Sequence, residues 1–402
     1  MSESQRPDAP SFFASLESLR GVAAFIVVLY HAVWMNWVTS LHLVQNGALM
    51  VDFFFVLSGF VIFHSYGNKL RNGTDIRRFL WLRLGRLYPL HFTFLMVFLG
   101  IEVAKLVAER QFGIVADKPA FTTNNGYTLL TNLLLIHSLG LHDHQHLTFN
   151  HPSWSISTEF YAYVLFAVVR SVLPANRLFT AAAVGLVLVG FGALGWLNVV
   201  PLTTAGYDYG FLRCAGGFFL GTLTYLAYDA LRGRLKPRNG LTWLPALALL
   251  GTVVYLCVID PEGWLTYLLP FLSALVILTL VLCPQRAVQS VLSARPLAWL
   301  GKVSYSVYMV HAAVAWLITQ TLTVVFKFPK FEVPDGHVVA TSPSAGLIAL
   351  AIYVTVVLVL SHFTYRWIEE PFRLMSRRAS LRWFQPTPQT ALEEPVVQDA
   401  RS

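Results

Sequence analysis

Residues 17–32 place an arginine and a histidine around an apolar run, with a spacing that could serve one reaction site. The stretch reads ESLRGVAAFIVVLYHA, and His31 follows Arg20 by eleven residues. In an α-helix this spacing puts both side chains on one face, roughly 16 Å apart along the axis. If Arg20 lies at a membrane surface, His31 lies near the middle of a hydrocarbon core about 30 Å thick. The pair therefore indicates either a functional site or a hydrogen-bonded structural histidine with a boundary arginine.

Two carboxylates also stand inside apolar segments. Asp52 lies in VDFFFVLSGFVI, and Glu159 lies in PSWSISTEFYAYVLF. A carboxylate inside a membrane is costly, so both residues indicate a functional or paired role. A further histidine, His311, lies in LGKVSYSVYMVH, where a lone histidine is more often structural. We predict that Asp52 and Glu159 belong to the site.

Arg83 and Arg86 form a second candidate feature, in the stretch RLGRLYPLH. Residues three apart share a helical face, and two guanidinium groups there suit a phosphate-bearing ligand. The alternative is that these arginines mark the cytoplasmic boundary and bind lipid headgroups. The spacing alone leaves both interpretations open.

The composition determines the class of protein that must hold these residues. The 402-residue chain is 55% hydrophobic and 12% charged, whereas soluble domains carry about 25% charged residues. We therefore predict an all-α polytopic membrane protein. The net charge of +8 agrees with basic cytoplasmic loops, so we predict membrane lipid and no nucleic acid as a partner.

Apolar segments of sufficient length predict about ten membrane spans. They are residues 18–38, 47–66, 86–108, 153–173, 178–197, 209–228, 241–259, 264–283, 304–325 and 345–368. A shorter segment, residues 128–141, suits a re-entrant or interfacial helix. Most of the lysines and arginines then fall on one side, which favours both termini in the cytoplasm.

The predicted domain organisation is simple. Residues 1–17 form a cytoplasmic segment, residues 18–374 form the membrane domain, and residues 375–402 form a disordered cytoplasmic tail. The HDHQH run at 142–146 could hold a metal, but histidines in a loose outer loop rarely form a defined site. We predict no metal.

The chain resembles acyltransferase family 3 of integral membrane proteins over residues 12–375. The matching pieces, in chain order, are LESLRGVAAFIVVLYHA, VDFFFVLSGFVI, RLGRLYPLH, PSWSISTEFYAYVLF, LGKVSYSVYMVH and YRWIEEPFR. Each piece is short, but their order and spacing along the chain make the resemblance specific. Where many relatives have two adjacent acids, this chain has Thr158 followed by the single Glu159.

The resemblance implies an O-acyltransferase of the bacterial inner membrane. Such enzymes move an acyl group, most often acetyl, from cytoplasmic acyl-CoA to a carbohydrate hydroxyl. Surface polysaccharides, lipid-linked glycans and oligosaccharides are among their acceptors. The resemblance makes His31 the essential catalytic histidine, and it assigns Arg20, Arg83 and Arg86 to the donor, acetyl-CoA.

Our hypothesis for the chemistry is that His31 acts as general base on the acceptor hydroxyl, with an acyl-histidine intermediate as an alternative. Glu159 or Asp52 would orient His31 or bind the acceptor. Four further residues are assigned to substrate binding: Trp154, Ser58, Tyr305 and His311.

Two other functions fit the same buried polar residues. A proton-coupled transporter or flippase would also need histidine, acids and arginines inside the membrane. A protein that only hands the acyl group to an outside partner would bind CoA without acetylating a glycan. Substrate movement without acyl-CoA consumption would distinguish the transporter.

Overall fold

The fold is described from a computed structural model of the chain. It describes residues 9–114, 118–141, 147–206, 208–234, 242–283, 285–333 and 336–384. Within these ranges the regular secondary structure is almost entirely helical. The histidine run at 142–146 lies outside the described residues.

Fifteen α-helices form the described part of the chain. They are α1 (Ala9–Tyr30), α2 (His42–Gln45), α3 (Met50–Tyr66), α4 (Gly73–Phe112), α5 (Gly126–Leu133), α6 (Trp154–Val172), α7 (Asn176–Trp196), α8 (Gly210–Leu231), α9 (Leu244–Val258), α10 (Leu269–Leu282), α11 (Arg286–Leu292), α12 (Arg295–Lys302), α13 (Ser304–Gln320), α14 (Pro343–Thr364) and α15 (Glu370–Trp383).

Short elements connect and extend these helices. An antiparallel hairpin pairs β1 (Lys330–Val333) with β2 (Gly336–Val339). Two π-helical turns, Thr321–Val325 and Tyr365–Glu369, continue α13 and α14. The second turn leads directly into α15, so these two helices and the turn form one continuous helical run.

Six helical segments of the described chain are long and apolar enough to cross a membrane, with mean hydropathies of 1.4 to 2.4. They are His42–Tyr66, Gly73–Phe112, Asn176–Trp196, Trp264–Leu282, Ser304–Val325 and Pro343–Trp383. Helix α9 has 15 residues and is short for a span. Helices α6 and α8 are long enough and carry two charged residues each, but they are not among these six segments. The fold is that of a membrane protein, and the number of ten spans stays a prediction.

Helices α3 and α8 cross at very short range because glycines stand at the crossing. A Cβ atom at Gly59 would collide with the carbonyl oxygen of Phe218, and one at Gly221 would collide with that of Val56. Small residues let membrane helices approach this closely. The contact fixes α3, which carries Asp52 and Ser58, against the rest of the bundle.

We expect Gly59→Ala to destabilise the protein by about 1–3 kcal/mol, because the new methyl group forces the two backbones apart. Gly100→Ala is the matched control, since nothing lies within 4 Å of a Cβ at that position. Thermal unfolding in detergent measures both variants. Equal stability of the two would contradict the close crossing of α3 and α8.

Helix α1 ends earlier than the predicted span 18–38. It stops at Tyr30, and His31 is the first residue beyond the helix. Backbone hydrogen bonds with Val339 hold the segment that follows. The N–H of Met35 donates to the carbonyl oxygen of Val339, and the N–H of Val339 donates to the carbonyl oxygen of Val33. The Asn36 side chain then accepts bonds from two nearby backbone N–H groups. These tertiary and local bonds replace the helical pattern.

The predicted short segment at 128–141 contains most of the eight-residue helix α5, which is too short to span a membrane. Asn132 at its end is fully buried, and its carbonyl oxygen accepts a hydrogen bond from His91 Nε2 at 3.0 Å. The segment therefore packs against α4.

The prediction of a disordered tail from residue 375 is wrong for residues 375–383. These residues belong to α15, which packs on the first half of α4. Trp81 Nε1 donates to the carbonyl oxygen of Ser376 at 3.1 Å, and the Trp81 and Trp383 rings lie 4.9 Å apart. Burial of Ser376 and Ser380 against the bundle makes this polar segment helical. Residues 385–402 lie outside the described residues.

Candidate active site

A cavity of about 250 Å³ opens between α1, α3, α4, α6 and α13. Its charged lining comes from Glu17, Arg20, Arg83, Arg86 and Glu159. Hydroxyl groups of Ser58, Ser155, Tyr163, Ser304, Tyr305 and Tyr308 also line it. Three cations face two carboxylates, so the cavity is suited to an anionic ligand that also carries hydrogen-bonding groups.

Arg20 is held at the junction of α1, α12 and α13. Its Nε donates to Ser304 Oγ at 2.8 Å, and its Nη2 donates to Gly301 O at 3.1 Å. Gly21 and Gly301 bring the two backbones together, since a Cβ at either position would strike the facing main chain. Glu17 lies one helical turn away, with 3.7 Å between the charged atoms. These contacts fix the arginine at the cavity wall.

Arg83 and Arg86 lie on one face of α4, as their spacing predicts. Arg83 Nη2 donates to Tyr66 OH at 3.3 Å, and its guanidinium stacks 5.3 Å from the centre of that ring. Beside Arg86, the Leu87 carbonyl oxygen accepts a bond from Tyr305 OH at 2.6 Å. The two arginines therefore point into the same cavity from a helix that is tied to its neighbours.

Glu159 begins a short chain of hydrogen bonds along the cavity. Tyr163 OH donates to Glu159 Oε1 at 2.6 Å, and Ser58 Oγ lies 3.0 Å from the same phenol oxygen. A phenol has one proton, so Ser58 must donate to Tyr163. The chain leaves the second carboxylate oxygen of Glu159 available as an acceptor for a ligand hydroxyl.

His31 has an orientation that suits a general base. Its Nδ1 lies 2.9 Å from the carbonyl oxygen of Val27, one helical turn earlier. A carbonyl oxygen only accepts, so Nδ1 carries the proton. In the neutral ring, Nε2 then presents a lone pair that can take a proton.

A histidine pair connects His31 with the wall of the cavity. The His31 and His311 rings lie 4.8 Å apart, and the His311 and Tyr308 rings lie 5.7 Å apart. Tyr308 lines the cavity, and its hydroxyl lies 2.9 Å from Ser155 Oγ. His311 is fully buried, and neither ring nitrogen has a hydrogen-bond partner among the described residues, although the carbonyls of Val307 and Tyr308 lie near.

Asp52 lies in a different cluster. Its carboxylate accepts bonds from Arg213 Nε at 2.9 Å and Nη2 at 2.7 Å. The side chains are 0% and 1% exposed, and the guanidinium stacks 5.4 Å from the Trp154 ring. Asp52 and Trp154 thus contact Arg213 and lie outside the cavity lining.

Six of the predicted site residues line one cavity: Arg20, Ser58, Arg83, Arg86, Glu159 and Tyr305. His31 and His311 pair beside Tyr308.

Sequence reasoning missed Tyr163 and Arg213. Tyr163 stands four residues after Glu159, a spacing that brings helical side chains together. Arg213 is an ionisable residue inside a predicted span, which called for an acidic partner.

Among the described residues, no group of three or more His, Cys, Asp or Glu side chains is arranged to hold a metal ion.

Comparison with known families identifies the chain. Residues 13–365 match the family described as the acyltransferase domain, and the chain therefore belongs to acyltransferase family 3. In this member of the family, a cationic cavity lies within a bundle of apolar helices.

Three curated relatives are similar to this chain. YrhL of Bacillus subtilis strain 168, named as a peptidoglycan O-acetyltransferase, is 26% identical over 92% of this chain and 56% of its own length. The O-acetyltransferase OatA of Staphylococcus aureus is 23% identical over 91% of this chain and 58% of its own length. Protein 2 of the picA locus of Rhizobium radiobacter is 44% identical over 22% of this chain and 44% of its own length.

The chain spans a little over half the length of YrhL and OatA. No solved structure matches the chain.

Proposed function

We propose that this protein is an O-acetyltransferase of the bacterial inner membrane, which moves acetyl from acetyl-CoA to a carbohydrate hydroxyl. The observation that carries the proposal is the cavity that gathers Arg20, Arg83 and Arg86 beside Glu159. In this proposal residues 18–374 form the catalytic membrane domain, and both termini lie in the cytoplasm.

The three arginines form the donor end of the proposed site. Coenzyme A carries several phosphate groups, and guanidinium groups bind phosphate through paired, charge-assisted hydrogen bonds. Arg20 and Arg83 are already oriented by Ser304 and Tyr66, so binding loses less side-chain freedom. The phosphates would stay near these cations, and the pantetheine arm would carry the thioester further into the bundle.

His31 supplies the proposed base. Its Nε2 takes the proton from the acceptor hydroxyl, whose oxygen attacks the thioester carbonyl carbon. The carbon–sulfur bond then breaks, and the CoA thiolate leaves and takes up the proton from the imidazolium. The bond from Nδ1 to Val27 O keeps the ring in the tautomer that this step needs. An acyl-His31 intermediate would use the same nitrogen as nucleophile.

Glu159 and its hydroxyl chain form the proposed acceptor side. A sugar presents several hydroxyls, which need both acceptors and donors of hydrogen bonds. Glu159, Tyr163 and Ser58 offer these groups in sequence along one wall. The name of YrhL favours peptidoglycan as the first acceptor to examine.

Family membership favours the transferase over a proton-coupled transporter or flippase. The direct test is CoA release by the detergent-purified protein with acetyl-CoA and a panel of glycans that includes peptidoglycan fragments. Acceptor-dependent release of free thiol, with acetyl found on the glycan, is the expected result. Binding of acetyl-CoA without any acetylated glycan would favour transfer through a separate partner. Absence of both binding and release would contradict the proposal.

We expect Arg83→Gln and Arg86→Gln each to raise the KM for acetyl-CoA about tenfold or more, because each removes a charge-assisted bond to phosphate. Arg77→Gln is the control, since Arg77 is exposed on the same helix and lies outside the cavity lining. Initial rates over a range of acetyl-CoA concentrations give the three KM values. An unchanged KM in both cavity variants would remove these arginines from the donor site.

A further inference from the structure

Two adjacent acids near the C-terminal end of the described chain have different surroundings. Glu370 accepts two bonds from Arg373, at 2.8 and 2.7 Å, and one from Tyr365 OH at 3.1 Å. Glu369 is 4% exposed and accepts a bond from Ser306 Oγ at 2.8 Å. Glu370 is therefore neutralised within its own helical segment, whereas Glu369 faces the bundle.

The first residues of α13 connect Glu369 with the arginines of the cavity. Ser304 accepts the bond from Arg20, Tyr305 bonds to the main chain next to Arg86, and Ser306 donates to Glu369. Three consecutive residues thus tie α1, α4 and the π-helical turn Tyr365–Glu369 to one point. A displacement of Glu369 would therefore change the positions of both Arg20 and Arg86.

Glu369 also interacts electrostatically with the two arginines. The Glu369 carboxylate attracts Arg86 most strongly among its charged neighbours, and it also attracts Arg20. The two arginines repel each other. Within the part of the chain that the structure describes, the Arg86 side chain makes no hydrogen bond. The attraction of Glu369 opposes the repulsion at Arg86, whereas Arg20 is also attracted by Glu17 and Glu159. Without Glu369, Arg86 would lose its attraction to this carboxylate, while hydrogen bonds to Ser304 and Gly301 would still hold Arg20.

We propose that Glu369 is a positioning residue, which holds Arg86 and Arg20 at the separation that binds the phosphates of the donor. This inference rests on the proposed function, because it takes acetyl-CoA as the anionic ligand. Glu369 lies outside the cavity lining, so the phosphates contact the guanidinium groups and not the buried carboxylate. We therefore expect removal of Glu369 to weaken phosphate binding, because the arginines are misplaced. This effect should exceed the gain in binding from the loss of one negative charge.

The test compares Glu369→Gln with Glu370→Gln, two isosteric changes at neighbouring positions. For Glu369→Gln we expect the KM for acetyl-CoA to rise about tenfold, with kcat within about threefold of wild type. Glu370→Gln should leave both constants near wild type. A KM for Glu369→Gln equal to or below that of wild type would overturn the proposal.

A double-mutant cycle with Arg86→Gln separates positioning from a general structural effect. If Glu369 acts through Arg86, the Glu369→Gln change should raise KM by less than about twofold once Arg86 is already glutamine. Independent, multiplicative effects of the two changes would overturn the proposal. Glu369→Asp, which keeps the charge, should recover part of the lost affinity.

Folding is controlled by size-exclusion chromatography of each variant in detergent. If Glu369→Gln does not yield folded protein, Ser306→Ala replaces it, since this change frees the carboxylate but keeps every charge. Its KM should rise about threefold at unchanged kcat, and an unchanged KM would overturn the proposal. A wild type without acetyl-CoA turnover contradicts the proposed function itself. An active wild type with a normal Glu369→Gln variant contradicts the role of Glu369 alone.

Discussion

Replacing His31 by glutamine is expected to lower acetyl transfer by about 10²–10⁴-fold, with the KM for acetyl-CoA close to that of wild type. Glutamine can occupy a similar volume and keep a bond to the Val27 carbonyl, but it cannot accept a proton at neutral pH. The arginines proposed to bind the donor are held by other residues, Ser304 and Tyr66, so donor binding should persist.

The control for His31 is His362→Gln, because His362 is exposed on α14 and lies outside the cavity lining. Both proteins are compared by CoA release and by acetyl-CoA binding after size-exclusion chromatography. A folded His31→Gln protein with full acetyl transfer would exclude His31 as base and as nucleophile. It would leave His311, whose ring is 4.8 Å away, as the histidine to test next.

The sequence correctly predicted that Arg83 and Arg86 share one helical face, because helical periodicity alone determines it, and both line the same cavity. Arg83 and Arg86 are one turn apart on a continuous helix, so they must share a face. The cost of burying a charge identified Glu159 and Asp52 as paired or functional residues before any contact was known. Both arguments need only local structure and the membrane environment.

The sequence could not predict contacts between distant segments. Asp52 and its partner Arg213 are 161 positions apart, so burial cost identified the need for a partner but not which residue supplies it. The end of α1 depends on hydrogen bonds with Val339, far along the chain. The helical state of residues 375–383 likewise depends on Trp81 and the packing of α15 on α4. Each of these features arises only when the bundle assembles.

The pair of Asp52 and Arg213 leads to the largest expected effect on stability. Asp52→Asn should destabilise the protein by about 3–5 kcal/mol, because it leaves the buried guanidinium without a counter-charge. Both side chains are at most 1% exposed, so water cannot replace the lost carboxylate. Thermal or SDS-induced unfolding in detergent measures the change.

Helix α8 also offers a matched control for this prediction. Asp229 and Arg232 form an ion pair of the same length, 2.7 Å, but their side chains are 42% and 56% exposed. Asp229→Asn should therefore cost at most about 1 kcal/mol. The double variant Asp52→Asn with Arg213→Met should regain much of the lost stability, because it removes the unpaired charge together with its partner.

The same variants decide between the two roles that the sequence left open for Asp52. A structural pair predicts that the double variant recovers acetyl transfer together with stability, since neither residue lines the cavity. A stable Asp52→Asn protein without activity would instead support a functional role for Asp52, either in binding the acceptor or in orienting His31. The two roles are separable because a buried ion pair needs only a matched charge, whereas catalysis needs the carboxylate itself.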